Sequence, residues 1–206
     1  MKKITILICM IGLVTQASAQ VEKLSGPRMG VTMVTPGILA SVIRGDVGLF
    51  DSDELSEEWQ GNAGQYGAAM FQYGWQFESR FADGGDIVGI VEWIALVGGM
   101  EKGFFLPSLS SMVGLRTGKG FEIAMGPNLS LSGVSMVFGC GYNFKVGKLN
   151  LPINIAYVPS ITRKYDNGGS WDYNEETGEQ FYIQPYTVEK ETGHRVTITA
   201  GFNIGK

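Results

Sequence analysis

His194 is the only imidazole in the 206 residues, and the carboxylates of Glu189 and Glu191 stand within five positions of it. If a loop also brought Asp172 close, the set could form an acid-oriented general base, as in a hydrolase or acyltransferase. Such a base needs an orienting partner and a nucleophile within hydrogen-bond reach. A lone histidine at a loop-to-strand junction is usually solvated, so no catalytic residue is expected, and a rim enzyme near His194 is the alternative reading. A second set is Arg28, Glu78, Arg80, Glu92, Arg116, Glu122 and Lys145. These fall on the polar positions of otherwise apolar alternating stretches. Enclosed together they would satisfy one another as a salt-bridged plug, because a buried charge needs a partner. A narrow ion path or a proton-handling site is the alternative for the same residues.

Metal chemistry lacks side chains. The chain has one histidine and two cysteines, Cys9 and Cys140, and Cys9 lies in the N-terminal leader. That leaves no His/Cys zinc set and no Cys-His nucleophile pair. No segment fits the D-x-[DN]-x-[DN]-G calcium loop. No cofactor and no metal are expected.

The chain begins "MKKITILICMIGLVTQASAQ". Lys2 and Lys3, the apolar run Ile4 to Val14 and Ala17-Ser18-Ala19 read as a cleaved export signal over 1–19. The apolar run is shorter than the roughly 20 residues of a membrane span, and no small residues precede Cys9 as in a lipid anchor. Removal of Lys2 and Lys3 from 16 basic side chains leaves 14 against 20 acidic ones, which argues against a nucleic-acid partner. A single remaining cysteine excludes an internal disulfide. Domain 20–206 is long enough for one enclosed unit.

The elements that must position these residues are strands. In "QYGWQFESRF", Tyr73, Trp75, Phe77 and Phe81 alternate with Gln72, Gly74, Gln76, Glu78 and Arg80. Side chains of a strand alternate faces, so the segment separates an apolar face from a polar one. Comparable strands are expected from about Ile87 to Val97 and Phe105 to Arg116, then around Phe121–Ser130, Val134–Lys145, Leu149–Tyr157 and Arg195–Ile204. A weaker one lies in "PRMGVTMV", which makes eight. The links "ADGGD", "TGKG" and "VGKL" are short and turn-like. The two long links, 36–70 and 162–193, both fall on the other side. Thirty glycines and scattered prolines argue against long helices, and the best apolar run, Asp86 to Gly99, is short and carries Glu92.

Alternation alone fits either a soluble lipocalin-like binding barrel or a barrel in lipid. The polar face decides between them, being Gly, Ser, Thr, Asn and Ala with few charges, as a narrow interior requires. Aromatics sit near strand ends: Phe81, Phe121, Phe144 and Phe202 on one rim, Tyr73, Phe105 and Tyr157 on the other, as in lipid-facing girdles. Pro107, Pro127, Pro152 and Pro159 map near strand ends, where a closed barrel tolerates them best.

The stretches "SGPRMGVTMVTPG", "YGWQFESRF" and the central run from "GIVEWIALVGG" to "INIAYVPS", with the terminal "RVTITAGFN", resemble a family of small, mostly uncharacterised outer-membrane β-barrel proteins of the Bacteroidota type. The resemblance implies a barrel in the cell outer membrane and carries no catalytic or ligand residues. The chain departs from it in the long insertion before His194 and in ending "FNIGK" without a terminal aromatic.

The expectation is an all-β, eight-stranded antiparallel up-and-down transmembrane β-barrel with short periplasmic turns and two long extracellular loops. In loop 36–70, Thr35-Pro36 reads as a helix start, followed by a short amphipathic helix with Ile38, Leu39, Val42 and Ile43 over the barrel mouth. Asp51 to Glu58 reads as a solvated acidic surface. Loop 162–193 holds seven acids, three bases and six aromatics, with a hairpin expected over Gln180 to Val188. Its composition suits contact with proteins or glycans, or divalent cations shared with lipid headgroups. The expected partners are outer-membrane lipid and, through the two loops, other outer-membrane proteins or extracellular ligands. The expected role is non-enzymatic: envelope stabilisation, adhesion or service as an accessory subunit. A rim enzyme and a narrow solute channel are the alternatives.

Overall fold

The structure, a computed structural model, describes residues 25–49, 55–174 and 177–204. The leader 1–19 and residues 51–54 of the acidic stretch lie outside the described residues. The first strands are β1 (Gly26–Val34), β2 (Ala68–Asp83), β3 (Ile87–Gly98) and β4 (Leu106–Thr117). They continue with β5 (Phe121–Ser130), β6 (Gly133–Val146) and β7 (Leu149–Val158). The chain then forms β8 (Thr162–Asn167), β9 (Ser170–Tyr173), β10 (Gln180–Ile183) and β11 (Tyr186–Glu191), and ends in β12 (Arg195–Gly201) and β13 (Asn203–Ile204). One helix, α1 (Ile38–Arg44), follows β1.

Strands β1 to β7 pair in order, each antiparallel to the next, and β12 pairs with both β1 and β7. The sheet therefore closes on itself as an eight-stranded barrel. Strand β13 continues β12 in unchanged register: Ala200 faces Ile153 and Asn203 faces Asn150, with the break at Phe202.

The two faces divide as the alternation requires. Arg28, Gln72, Gln76, Glu78, Glu92, Arg116 and Glu122 are buried inside, and Met29, Trp75, Phe77, Trp93, Ile123 and Phe138 are exposed outside. The apolar surface is thus on the exterior, with the polar one enclosed. The aromatics assigned to the two rims from the sequence all lie on this exterior.

Two irregularities have local causes. Between β4 and β5 the ladder lapses from Ser110–Asn128 to Val113–Met125. Pro127 falls in that gap, where it has no N–H to give. Between β2 and β3 the register shifts between Arg80 and Ala82. There the Phe81 ring folds over Gly89, where a β-carbon would come within 2.7 Å of it. Glycine at 89 leaves room for the end of that ring.

The mouth at the long-loop end is roofed. Leu39, Ala40 and Ile43 of α1 bury themselves against Val34, Met70 and Leu106, inward residues near the ends of β1, β2 and β4. Val47, Leu55 and Ala63 extend this roof against Ile38, Trp59 and Tyr165, and Lys190 Nζ lies 4.1 Å over the Trp59 ring. The start of α1 differs from expectation. Gly37 caps it without a side-chain hydrogen bond. Thr35 Oγ1 instead accepts from the His194 amide at 2.8 Å, and the Thr35 amide donates to the His194 carbonyl at 2.9 Å. Thr35 ties the roof to β12 rather than starting the helix.

The segment 162–191 extends the last two barrel strands beyond the rim. Arg195–Val158, Glu191–Thr162, Tyr186–Asn167, Ile183–Ser170 and Gln180–Tyr173 are successive rungs of one register. The expected hairpin over Gln180 to Val188 is corrected: these residues form one arm, and the other is 162–173. At the far end of the two arms the Asn174 amide donates to the Glu179 carbonyl at 2.9 Å. Each arm of 12 residues spans about 40 Å of extended chain.

Candidate functional site

Inside the barrel, Glu78 on β2 stands directly opposite Glu92 on β3. Like charges in that position repel. Arg116 on β4 reaches across β3 to resolve it: Nη1 donates to Glu78 Oε1 at 2.5 Å, and Nη2 pairs with Glu78 Oε2. The same guanidinium donates from Nε to Glu122 Oε2 at 2.7 Å, and its Nη2 lies 2.6 Å from that oxygen. Glu92 Oε1 lies 4.0 Å from Arg116 Nη2 and accepts from Gln76 Nε2. Gln76 Oε1 accepts from Arg28 Nε at 2.8 Å, and Asn154 Nδ2 donates to Glu122 Oε1 at 2.9 Å. A belt therefore runs across the interior from β1 to β7, with neutral amides relaying between charges.

Five of the seven charges singled out in the sequence meet here: Arg28, Glu78, Glu92, Arg116 and Glu122. Arg80 points inward one step nearer the short turns, and its Nε has no hydrogen-bond partner among the described residues. Lys145 is corrected: it is exposed at the rim, two residues before the Gly147 turn, outside the belt. Gln76 and Asn154, which complete the belt, carry no charge and so leave no mark in the pattern of ionic residues.

Above the belt lies a cavity of about 60 Å³. Thr32 Oγ1 donates to Gln72 Oε1 at 2.6 Å and lies 2.7 Å from Thr197 Oγ1 on one wall. Met112, Ala124, Val137 and Val158 pack together as the other wall. At the top, Arg195 donates to Ser130 Oγ at 3.1 Å and to Asn128 Oδ1 at 3.0 Å.

His194 sits at the rim beside the base of the β8–β11 arm. Its Nδ1 accepts from the Ser160 amide at 3.2 Å and lies 2.7 Å from the Tyr157 hydroxyl, with the two rings stacked at 11°. Two of the acids proposed to orient it have other partners. Glu189 pairs with Lys164 at 2.6 Å, holding that ammonium above its usual range, and Asp172 Oδ1 accepts from the Tyr173 amide. Glu191 is exposed. Through its contacts with Tyr157 and Ser160, His194 joins strand to loop. Among the described residues no group of three His, Cys, Asp or Glu is placed to hold a metal ion.

The arm ends in exposed aromatics. Trp171 faces Tyr182 across β9 and β10 with ring centroids 5.3 Å apart, and Tyr173 lies on the same face, two residues along. All three are exposed.

Fold and interior together define the class: an all-β, closed eight-stranded antiparallel barrel whose polar interior is crossed by a charge belt. No family model matches the chain, and neither curated proteins nor solved structures yield a match.

Proposed function

We propose that the chain is an outer-membrane β-barrel with a non-enzymatic role, structural or interactive, and that its working surface is the aromatic arm 162–191. The carrying observation is the inversion of faces: side chains such as Trp75, Phe77, Trp93 and Phe138 are exposed around a barrel whose charges are enclosed. A water-facing exterior of that composition would aggregate, whereas a hydrocarbon one stabilises it. Strands β2 to β7 have 10 to 16 residues, enough for a tilted span. The short turns then face the periplasm, and α1 and the arm face outward.

A filled interior supports a structural or binding role over solute passage. Eight strands leave room for little besides side chains, the belt occupies that room, and α1 covers the mouth. The arm supports interaction, since exposed Trp171, Tyr173 and Tyr182 on a projecting ribbon present a contact surface that the barrel itself does not use. Fractionation with gel mobility tests the reading. The mature protein belongs with the outer membrane and migrates faster unboiled than boiled; a soluble periplasmic protein without a shift would overturn it.

A further inference from the structure

We infer that Arg195 and the cavity beneath α1 form a binding site for a short-chain monocarboxylate. Arg195 is more than nine-tenths buried, yet its two hydrogen-bond acceptors, Ser130 Oγ and Asn128 Oδ1, are neutral. Among the described residues no carboxylate lies within 4.0 Å of it, in contrast to Arg116. A buried cation surrounded by neutral partners is costly, and an anion in contact with it removes much of that cost. Two of the five guanidinium N–H groups are engaged, which leaves donors in the planar fork that suits a carboxylate.

The surroundings fix which anion. Asn128 Nδ2 donates to Ser110 Oγ at 2.9 Å, so its oxygen is held toward Arg195 and the guanidinium is pre-oriented. The wall of Met112, Val137 and Val158 is apolar, and Val158 is the register partner of Arg195. An alkyl group fits there, whereas a second negative charge finds no partner. The space of about 60 Å³ suits a small ligand such as acetate or a slightly longer homologue. The roof of Val34, Met70 and Leu106 under α1 sits one inward rung above the cavity residues Thr32, Gln72 and Ser108. Glu92 and Glu122 also line this cavity at its floor. They are engaged by Arg116, Gln76 and Asn154, and Asn154 lies four residues down β7 from Val158, about 13 Å away.

The test is calorimetric titration of the folded mature protein in detergent micelles with sodium acetate, propionate and butyrate, at constant ionic strength and with chloride as the control anion. Saturable binding of at least one carboxylate, tighter than chloride, is expected. Asn128→Asp is nearly isosteric and places a carboxylate against Arg195, so it should weaken binding at least fivefold while the unboiled band still migrates fast. Arg195→Gln should do the same. No saturable binding to the wild type, chloride bound as tightly as the carboxylates, or a loss under fivefold in a correctly folded Asn128→Asp would each overturn the site.

Discussion

Glu78 and Glu92 face each other across β2 and β3 inside the barrel, and Arg116, two strands away from Glu78, is the cation between them. The belt is therefore a unit whose weakest point is one side chain. Arg116→Met removes the only guanidinium in contact with Glu78 and Glu122 among the described residues. Breaking a buried pair from one side costs about 3–5 kcal/mol. The temperature at which the fast-migrating band disappears should fall markedly. Adding Glu78→Gln to that variant should restore part of the loss, because it removes one of the stranded charges.

The roof and the belt are separate closures in series. Ile43, buried in the roof cluster, can be replaced by Asp to expel α1 from the mouth. Planar-bilayer recordings of Ile43→Asp should remain silent, since the belt still fills the barrel below. Discrete conductance steps would show that α1 alone seals the interior.

Gly193 joins the arm to β12 with φ +89°, and a β-carbon there would lie 2.6 Å from the Thr35 carbonyl oxygen. A left-handed conformation costs a non-glycine residue about 1–2 kcal/mol, before the clash is counted. Gly193→Ala should loosen both the arm and the roof, seen as faster limited proteolysis in 162–193 with the barrel fragment intact.

His194 is a structural clamp in this account. His194→Ala removes the contacts of Nδ1 with Tyr157 and Ser160. A hydrogen bond of this kind is worth about 1 kcal/mol. The variant should show slightly faster cleavage at the arm's base, and ester-hydrolysis rates should be the same in variant and wild type.

The strand faces were legible because period-two alternation is a strong signal when one face is aromatic and the other glycine, serine or charge, as from Gln72 to Phe81. Short turns containing Gly85, Gly120 and Gly147 marked the strand ends, and α1 announced itself through Ile38, Leu39, Val42 and Ile43. Three features were not legible, each for a physical reason. Lys145 shares the parity of the interior residues, but parity says nothing of depth, and at the end of β6 its side chain reaches water. Gln76 and Asn154 complete the belt through amide dipoles, which no count of charges reveals. In the arm, Gln184-Pro185 resembles a turn; it instead separates β10 from β11, opposite Gly168-Gly169 on the facing arm, so the break in pairing lies in the middle of a ribbon.

The central claim is that the apolar exterior meets hydrocarbon, and the four tryptophans test it directly. Trp75 and Trp93 lie on the outer face within β2 and β3, Trp59 lies in the roof and Trp171 at the arm's tip. Single-tryptophan proteins, with the other three replaced by Phe, would be folded into bilayers whose acyl chains carry bromine. Fluorescence of Trp75 and Trp93 should be strongly quenched, and that of Trp59 and Trp171 left nearly unchanged. Equal fluorescence of all four, with Trp75 and Trp93 untouched by the brominated chains, would contradict a barrel in lipid.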